Sequence, residues 1–306
     1  MDYFLYCLVL GIGVGAIYAM VALGYTLVYG IIKLINFAHG EFYMVGAYAG
    51  YGVFSLLRAC RYTAGASPWL VMPLIVLTAG VAGAAIAALT EWVAYRPIRH
   101  SGRLAALLTA IGVSFLLQKL ATFVEQGNNL TYQGRINEVC QTSIRVGSGG
   151  IRAIEFVYVG VSVVLMLVFW YVVKRTRFGK AMRATSQDMH AAMLMGIDVN
   201  AVIRKTFIAG GFFAGVAGAL FSLETTITPT MGFMPGLNAF VAAVVGGIGS
   251  IPGAMLGGYV LGIVQYLVVW AGVPTGYKDI ASFVLLIAVL VVRPQGILGR
   301  TVAEKV

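Results

Sequence analysis

The chain has 306 residues, of which 60% are hydrophobic and only 10% are charged. Soluble globular domains carry about 25% charged residues, so this composition excludes an ordinary water-soluble domain. The net charge of +10 does not indicate a nucleic-acid partner, because Lys and Arg accumulate in the cytoplasmic loops of membrane proteins.

Apolar runs of about 20 residues, the length that crosses a bilayer as a helix, recur along most of the chain. They predict an all-α, polytopic membrane protein with about eight to nine transmembrane helices. In chain order, the longer predicted spans cover residues 5–29, 38–57, 69–92, 104–124, 154–173, 203–223, 253–272 and 279–293.

A shorter apolar piece at about 238–248 precedes the turn GGIGSIPG. At about 1.5 Å per residue, a helix of this length covers only about half a bilayer. The piece is either a half-helix or one arm of a broken span. If it crosses, the two termini lie on opposite sides of the membrane, and if it does not, they lie on the same side.

The basic residues predict the orientation. Placing the loop of about residues 174–205 in the cytoplasm assigns fourteen of the 21 Lys and Arg residues to that side and seven to the other. The positive-inside rule requires a bias in this direction. The longest polar insert, about 125–153, then lies outside. There we expect a connecting loop, with a binding surface for an external partner as the alternative.

The second span begins with the polar residues Asn36, His39 and Glu41. A charged side chain at mid-bilayer costs at least about 2.5–3.5 kcal/mol on insertion scales, so such residues usually face a cavity or a partner. At the start of a span, however, Asn36 can cap the helix and Glu41 can interact with the positive end of its dipole. We expect a structural and gating role for the three rather than substrate contact.

Three further polar residues occur near predicted span ends. Glu224 and Asn238 flank an outer loop and are candidates for lining an external mouth. Glu91, near the end of the third span, is expected to reach the membrane interface and to pair with Arg96.

The stretch SQDMHAAMLMGID lies within the basic loop and is mostly apolar. Thr185 followed by Asp188 fits a variant of the capping box, which predicts a helix start at Thr185. Gly196 is the predicted left-handed stop, with Ile197 closing a Schellman motif, and Asp198 can cap the following span. The sequence thus predicts a separate helix of two to three turns, which is too short to be stable alone.

This short helix needs a surface to lie on. Helical spacing puts Met189, Ala192, Met193 and Gly196 on one face, which can rest on the membrane part of the protein. The remaining apolar surface then faces the cytosol, where such surface marks a contact site. Two interpretations are open: the helix binds in a partner's groove, or it lies in the lipid headgroup layer.

The segment HAAMLMG resembles the EAA-x3-G cytoplasmic signature of ABC-transporter permeases. Ala191, Ala192 and Gly196 are in place, whereas His190 stands where the general signature has Glu. Other stretches resemble the LivH-type permeases of high-affinity branched-chain amino-acid uptake, in the expected order and over nearly the whole chain. They are GYTLVYGIIKLINFAHGEFYMVGAY, EWVAYRPIR, FGKAMRATSQDMHAAMLMGI, AAVVGGIGSIPGAMLGG and RPQGILGR.

The resemblance implies that residues 1–306 form a single transmembrane permease domain in the bacterial plasma (inner) membrane, with a coupling loop at about 174–205. It implies three kinds of protein partner besides lipid: a second, related permease, two ATP-binding subunits and an external substrate-binding protein. The residues implied in coupling to the ATPase are Asp188, His190, Ala191, Ala192, Met195 and Gly196.

The chain lacks the G-x4-G-K-[ST] phosphate-binding motif, so ATP and Mg²⁺ are expected on the partner subunits and no cofactor on this chain. The implied cargo is leucine, isoleucine and valine. Similar permeases carry urea, amides or other amino acids, and these remain alternatives. A rival class is a secondary transporter in which His39 and Glu41 relay protons.

Overall fold

The computed structural model describes residues 2–60, 67–99, 101–133, 142–146 and 149–299. Part of the predicted outer insert, residues 134–141 and 147–148, lies outside the described residues. So does Arg300, the last residue of the RPQGILGR stretch.

The described residues are almost all helical. The helices of the bundle are α1 (Asp2–Ile32), α2 (His39–Ala59), α3 (Pro68–Thr90), α4 (Arg103–Val124), α5 (Ala153–Arg175), α8 (Val199–Ser222), α9 (Phe233–Gly246), α10 (Ile251–Trp270) and α11 (Lys278–Val292). Two further helices, α6 (Arg177–Gln187) and α7 (Met189–Leu194), form the loop before α8. Helix α3 continues as a π-helical turn, Glu91–Tyr95, and a final α-helical turn, Arg96–Ile98.

Among the described residues, seven helices are long and apolar enough to cross a membrane. They are α1, α3 with its extension, α4, α5, α8, α10 and α11 with the 3-10 turn Thr275–Tyr277 that precedes it. Helix α2 has 21 residues but begins with polar groups. These findings confirm the predicted polytopic membrane fold.

Helix α9 is the short apolar piece predicted before the Gly/Pro turn. Its 14 residues extend over about 21 Å, less than the roughly 30 Å hydrocarbon core. The turn to α10 uses Gly247 and Gly249 with φ of +104° and +93°, values that glycine adopts without strain. The C-terminal stretch folds back onto this turn, where the Ile297 and Leu298 amides donate to the Val245 and Gly246 carbonyls at 2.8 and 3.0 Å. The GGIGSIPG turn and the RPQGILGR stretch are therefore packed together in the structure.

Glycines bring α2, α3 and α8 into backbone contact at the centre of the bundle. The glycines of α8 all face neighbours in this chain: Gly210 packs on Gly24, Gly211 on Gly83, Gly215 on Ala79 and Gly218 on Tyr43. The sequence alone could not distinguish such internal packing from contacts with a second permease. The structure assigns these glycines to the chain's own core.

The outer insert contains a feature that the sequence did not predict. Strands β1 (Ser143–Val146) and β2 (Gly149–Arg152) form an antiparallel hairpin directly before α5. A single β-bridge between Leu130 and Ile227 ties the insert to the loop after α8. The outer loops are therefore anchored to each other above the bundle.

Candidate functional site

The short loop helix α7 begins at an Asp188 cap. The Asp188 carboxylate accepts hydrogen bonds from the His190 and Ala191 amides at 2.8 and 3.0 Å. These bonds, from Ala191 first and then His190, lower the pKa of Asp188 below its ordinary value, because they stabilise the charged form. The cap therefore stabilises the helix above the unfolded pKa of Asp188, and it is lost as the pH falls through the lowered value.

The predicted start at Thr185 is wrong. Thr185 lies inside α6 and is buried. Helix α6 has its own cap, Thr176, whose hydroxyl accepts from the Gly179 amide at 3.2 Å. The preceding basic residues continue as an amphipathic helix up to Gln187, so the chain breaks only at Asp188. Helix α7 is consequently six residues long, shorter than the predicted two to three turns.

The end of α7 follows the sequence prediction closely. Gly196 has φ of +79°, and the Gly196 and Ile197 amides donate to the Met193 and Ala192 carbonyls at 3.0 Å each. This is the double hydrogen-bond pattern of a Schellman motif. Asp198 then caps α8 by accepting from the Ala201 amide at 3.0 Å.

Helix α7 has one buried contact and a large exposed apolar end. Ala192 is buried against the neighbouring helices, so it fixes the helix on the protein. Met193, Leu194 and Met195 are 50%, 89% and 82% exposed. His190 and Ala191 are exposed as well. A groove of about 940 Å³ runs beside the helix, between it and the inner ends of α1 and α3.

A polar connection links the start of α8 to the π-helical turn of α3. Glu91 is buried, and it is ion-paired with Arg99 rather than with the predicted Arg96. Arg96, by contrast, is exposed. Arg99 also donates to the Asn200 side chain at 2.7 Å, and Arg204 lies 3.9 Å from Glu91. Glu91 therefore does not reach the interface, as the sequence suggested, but ties α3 to α8.

The first turn of α2 is buried inside the helix bundle and is not exposed to water at the membrane surface. The Asn36 side chain accepts from the Ala38 amide at 3.0 Å and from the Tyr95 hydroxyl at 2.7 Å. His39 is buried against the rings of Tyr25 and Phe42, with ring centroids 4.7 and 5.6 Å away. Its imidazole also faces Gly210, in the middle of α8. Asn36, His39 and Glu41 therefore lie in the interior of the protein, where α2 begins.

Glu41 is the candidate that borders a cavity. Its Oε1 accepts hydrogen bonds from the Ser114 hydroxyl at 2.9 Å and from the Gln118 amide at 2.8 Å. The cavity has a volume of about 650 Å³ and lies between α2, α4 and the start of α9. Asn36 and His39 do not line it. Ser114 and Gln118 were not predicted as site residues, although their spacing of four puts both on one face of α4.

Glu224 and Asn238 lie in two other places. Glu224 forms an ion pair with Arg152 at 3.0 Å, and Arg152 is 3.1 Å from Glu155. Burial raises the pKa of Glu224, which the Arg152 charge opposes. This cluster sits where the outer hairpin meets α5 and the end of α8. Glu224 therefore connects the hairpin to the end of α8, and it does not line the cavity beside Glu41.

Asn238 belongs to a buried hydrogen-bond network that connects α1, α9, α10 and α11. Its amide donates to the Asp279 carboxylate at 2.8 Å and to the Tyr18 hydroxyl at 3.2 Å. Gln265 donates to the same carboxylate at 3.0 Å and to Ser282 at 2.7 Å. Only 6% of the segment Thr275–Val292, which contains α11, is buried within the protein. Polar contacts of this kind therefore hold α11 to the bundle.

Comparison with known proteins gives consistent matches over the whole chain. The family model described as "Branched-chain amino acid transport system / permease component" matches residues 7–290. The high-affinity branched-chain amino acid transport system permease protein LivH of Escherichia coli K12 is 42% identical over 306 residues, covering 99% of this chain and 98% of the relative.

Two further relatives carry related descriptions. The high-affinity branched-chain amino acid transport system permease protein BraD of Pseudomonas aeruginosa is 40% identical, with 99% of this chain and 98% of the relative covered. The probable branched-chain amino acid transport permease protein LivH of Methanocaldococcus jannaschii is 28% identical, with 92% and 88% covered. No solved structure matches the chain significantly.

Proposed function

This chain belongs to the family of permease components of branched-chain amino acid transport systems, and we propose that it couples the movement of leucine, isoleucine and valine to ATPase subunits that are separate proteins. It is a multi-pass permease subunit for branched-chain amino acids in the plasma (inner) membrane. The full set of partners comprises a second, related permease, two ATP-binding subunits and an external substrate-binding protein. ATP and Mg²⁺ are bound by the ATP-binding subunits.

The proposal that α7 couples to the ATPase rests on its exposed apolar end. Three large apolar side chains, Met193, Leu194 and Met195, project from a helix that is fixed at both ends by caps. Fully burying such a side chain contributes about 1.5–3 kcal/mol, so these three side chains favour a partner with an apolar groove. His190 and Ala191 lie on the same exposed side, whereas Ala192 holds the helix against this chain.

Hydrogen bonds and ion pairs, joined by short stretches of backbone, lead from α7 into the membrane part. Asp198 caps α8 directly after the Schellman turn, and Asn200 in the first turn of α8 is bonded to Arg99. Arg99 pairs with Glu91 at the start of the π-helical turn, and Tyr95 at its end is bonded to Asn36. The segment after Asn36 leads to His39 and Glu41.

This connection supports a gating role for Asn36, His39 and Glu41. When the ATPase subunits close on ATP, α7 is carried with them as a rigid body. Because ATP stabilises one arrangement of those subunits, it stabilises one arrangement of α7 and of the helices tied to it. The start of α2 then moves relative to α8 and changes access to the cavity beside Glu41.

The test is leucine uptake by proteoliposomes that contain this chain with its second permease, both ATP-binding subunits and the external binding protein. We expect uptake into the vesicles when ATP is enclosed inside them and the binding protein is outside, because the cargo moves from the side of the binding protein to the side of the ATPase subunits. Uptake driven by a proton gradient without the ATPase subunits would replace the proposal by a secondary transporter. Uptake of urea or amides with no uptake of leucine would contradict the assigned cargo.

The contacts of Arg99 with Glu91 and Asn200 lead to a separate prediction. Replacing Arg99 with alanine is expected to lower ATP-driven leucine uptake by roughly two- to thirty-fold, the range that corresponds to coupling changes of about 0.5–2 kcal/mol. The variant leaves the buried Glu91 carboxylate with only Arg204 nearby and disconnects Asn200. Hydrolysis of ATP by the same complexes should continue, because the ATPase subunits are unchanged.

The matched control is Arg96→Ala, which removes the same charge from an exposed position in the same turn. Uptake should be close to that of the unmodified chain. Arg99→Lys should be intermediate, since one ammonium group cannot reproduce the fork of a guanidinium that reaches both Glu91 and Asn200. Equal losses in Arg96→Ala and Arg99→Ala would show that charge, and not the connection, matters.

A further inference from the structure

The cavity beside Glu41 has the character of a small-molecule site. Its volume of about 650 Å³ falls within the roughly 300–1,000 Å³ of known ligand pockets, which are mostly apolar with a few placed polar groups. Ile111, Phe115 and Leu237 contribute apolar walls. The polar side consists of Glu41 with its two partners on α4, Ser114 and Gln118.

The charge in the cavity lining is negative. Among the described residues that line it, Glu41 is acidic and none is Lys, Arg or His. Branched-chain amino acids carry an ammonium group, a carboxylate and an aliphatic side chain. The cavity therefore offers a counter-charge to the ammonium group and apolar surface to the side chain, but no cation to the carboxylate.

The Glu41 carboxyl group is incompletely satisfied in the present arrangement. Its Oε1 has two neutral donors, whereas the buried Oε2 has no hydrogen-bond partner among the described residues. An ionised carboxylate that is buried without a cation costs several kcal/mol. A ligand that brings a positive charge with N–H donors would remove this cost.

The start of α9 lies close to Oε2. A Cβ atom on Gly232 would lie 3.3 Å from Oε2, and Gly232 and Gly236 pack against the backbone of Gly40. A small shift of the start of α9 away from α2 therefore brings Oε2 to the cavity surface.

We propose that Glu41 binds the α-ammonium group of the transported amino acid, while the apolar walls of the cavity receive its branched side chain. This inference rests on the proposed cargo and specifies which end of it the permease recognises. The α-carboxylate of the substrate contributes little to binding at this step. The permease by itself selects a branched aliphatic amine.

The experiment measures ligand protection of a thiol in the assembled transporter, held in nanodiscs without the external binding protein. The three native cysteines are replaced by serine, and Thr230→Cys places a thiol at the exposed edge of the cavity. The labelling rate is followed against leucine, leucinamide, which keeps the amine but has no free carboxylate, and 4-methylpentanoate, which has no amine. Leucine and leucinamide should slow labelling at similar concentrations, and 4-methylpentanoate should not.

Glu41→Gln preserves the size of the side chain and an acceptor for Ser114 and Gln118 but removes the charge. It should raise the concentration of leucine for half-protection by about ten-fold or more, the effect expected from losing a charged hydrogen-bond partner. Glu125→Gln makes the same change at the outer end of α4, away from the cavity lining, and should leave protection unchanged. If Glu41→Gln does not assemble, Glu41→Asp provides the same comparison, because it retains the charge but displaces it and should weaken protection while keeping the preference for amines.

Protection by 4-methylpentanoate equal to that by leucine, or protection that is unaffected in the Glu41 variants, would overturn the assignment. Protection by phosphatidylethanolamine in the nanodisc, with none by leucine, would assign the cavity to a lipid headgroup instead. Uptake of leucine by the unmodified transporter is measured in parallel. Intact uptake with failed protection refutes the role of Glu41 alone, whereas absent uptake refutes the proposed cargo.

Discussion

The Gly215→Ala variant is expected to have a markedly lower midpoint of thermal unfolding in detergent. A Cβ at this position would lie 3.0 Å from the Ala79 carbonyl carbon and closer still to its oxygen, and Gly46 of α2 packs on the other side. The opposing atoms are backbone, so no side chain can rotate away. Overpacking of a core costs typically about 1–3 kcal/mol, a large part of a total stability of about 5–15 kcal/mol.

The matched control for Gly215→Ala is the Gly160→Ala variant. Gly160 lies on the exposed side of α5, and a Cβ there meets nothing within 4 Å. Alanine favours a helix over glycine by about 0.8–1 kcal/mol, so this variant should be unchanged or slightly more stable. The two identical substitutions are therefore expected to have opposite signs. Equal midpoints for both variants, measured at the same detergent concentration, would contradict the close packing of α2, α3 and α8.

The Gly196→Val variant is expected to fold and assemble but to uncouple ATP hydrolysis from leucine uptake, with uptake lowered by about ten-fold or more. Gly196 has φ of +79°, a left-handed conformation that costs an L-residue roughly 1–2 kcal/mol and a β-branched residue more. A Cβ at this position meets nothing within 4 Å. The effect should therefore come from distortion of the Schellman turn, which displaces Met195 and the start of α8, and not from a clash.

Gly196→Asn is the matched control, because asparagine adopts the left-handed region more readily than other non-glycine residues. It should retain most of the uptake, and Gly196→Ala should lie between the two variants. Hydrolysis and uptake are measured on the same proteoliposomes, so that a loss of assembly is seen as a loss of both. Tight coupling in Gly196→Val would mean that α7 does not transmit the energy of ATP.

Local features of the sequence predicted the structure of the loop before α8 well. The glycine stop, the closing Ile197 and the Asp198 cap all follow from hydrogen bonds between neighbouring residues, which a short sequence is sufficient to specify. The prediction failed at Thr185 for a tertiary reason. Its hydroxyl could have begun a helix, but the residue is buried within α6, which packs beneath α5.

The sequence by itself determined that the chain is a polytopic membrane protein, because the length and apolar character of a span are properties of consecutive residues. It could not determine which apolar face meets lipid and which meets protein, since both are equally apolar. Only the tertiary structure decided that the α8 glycines pack internally and that Glu91 pairs with Arg99. The same holds for Glu41, which meets Ser114 and Gln118 more than 70 residues away along the chain. Such contacts depend on how the helices pack against one another, and no local pattern of residues encodes that packing.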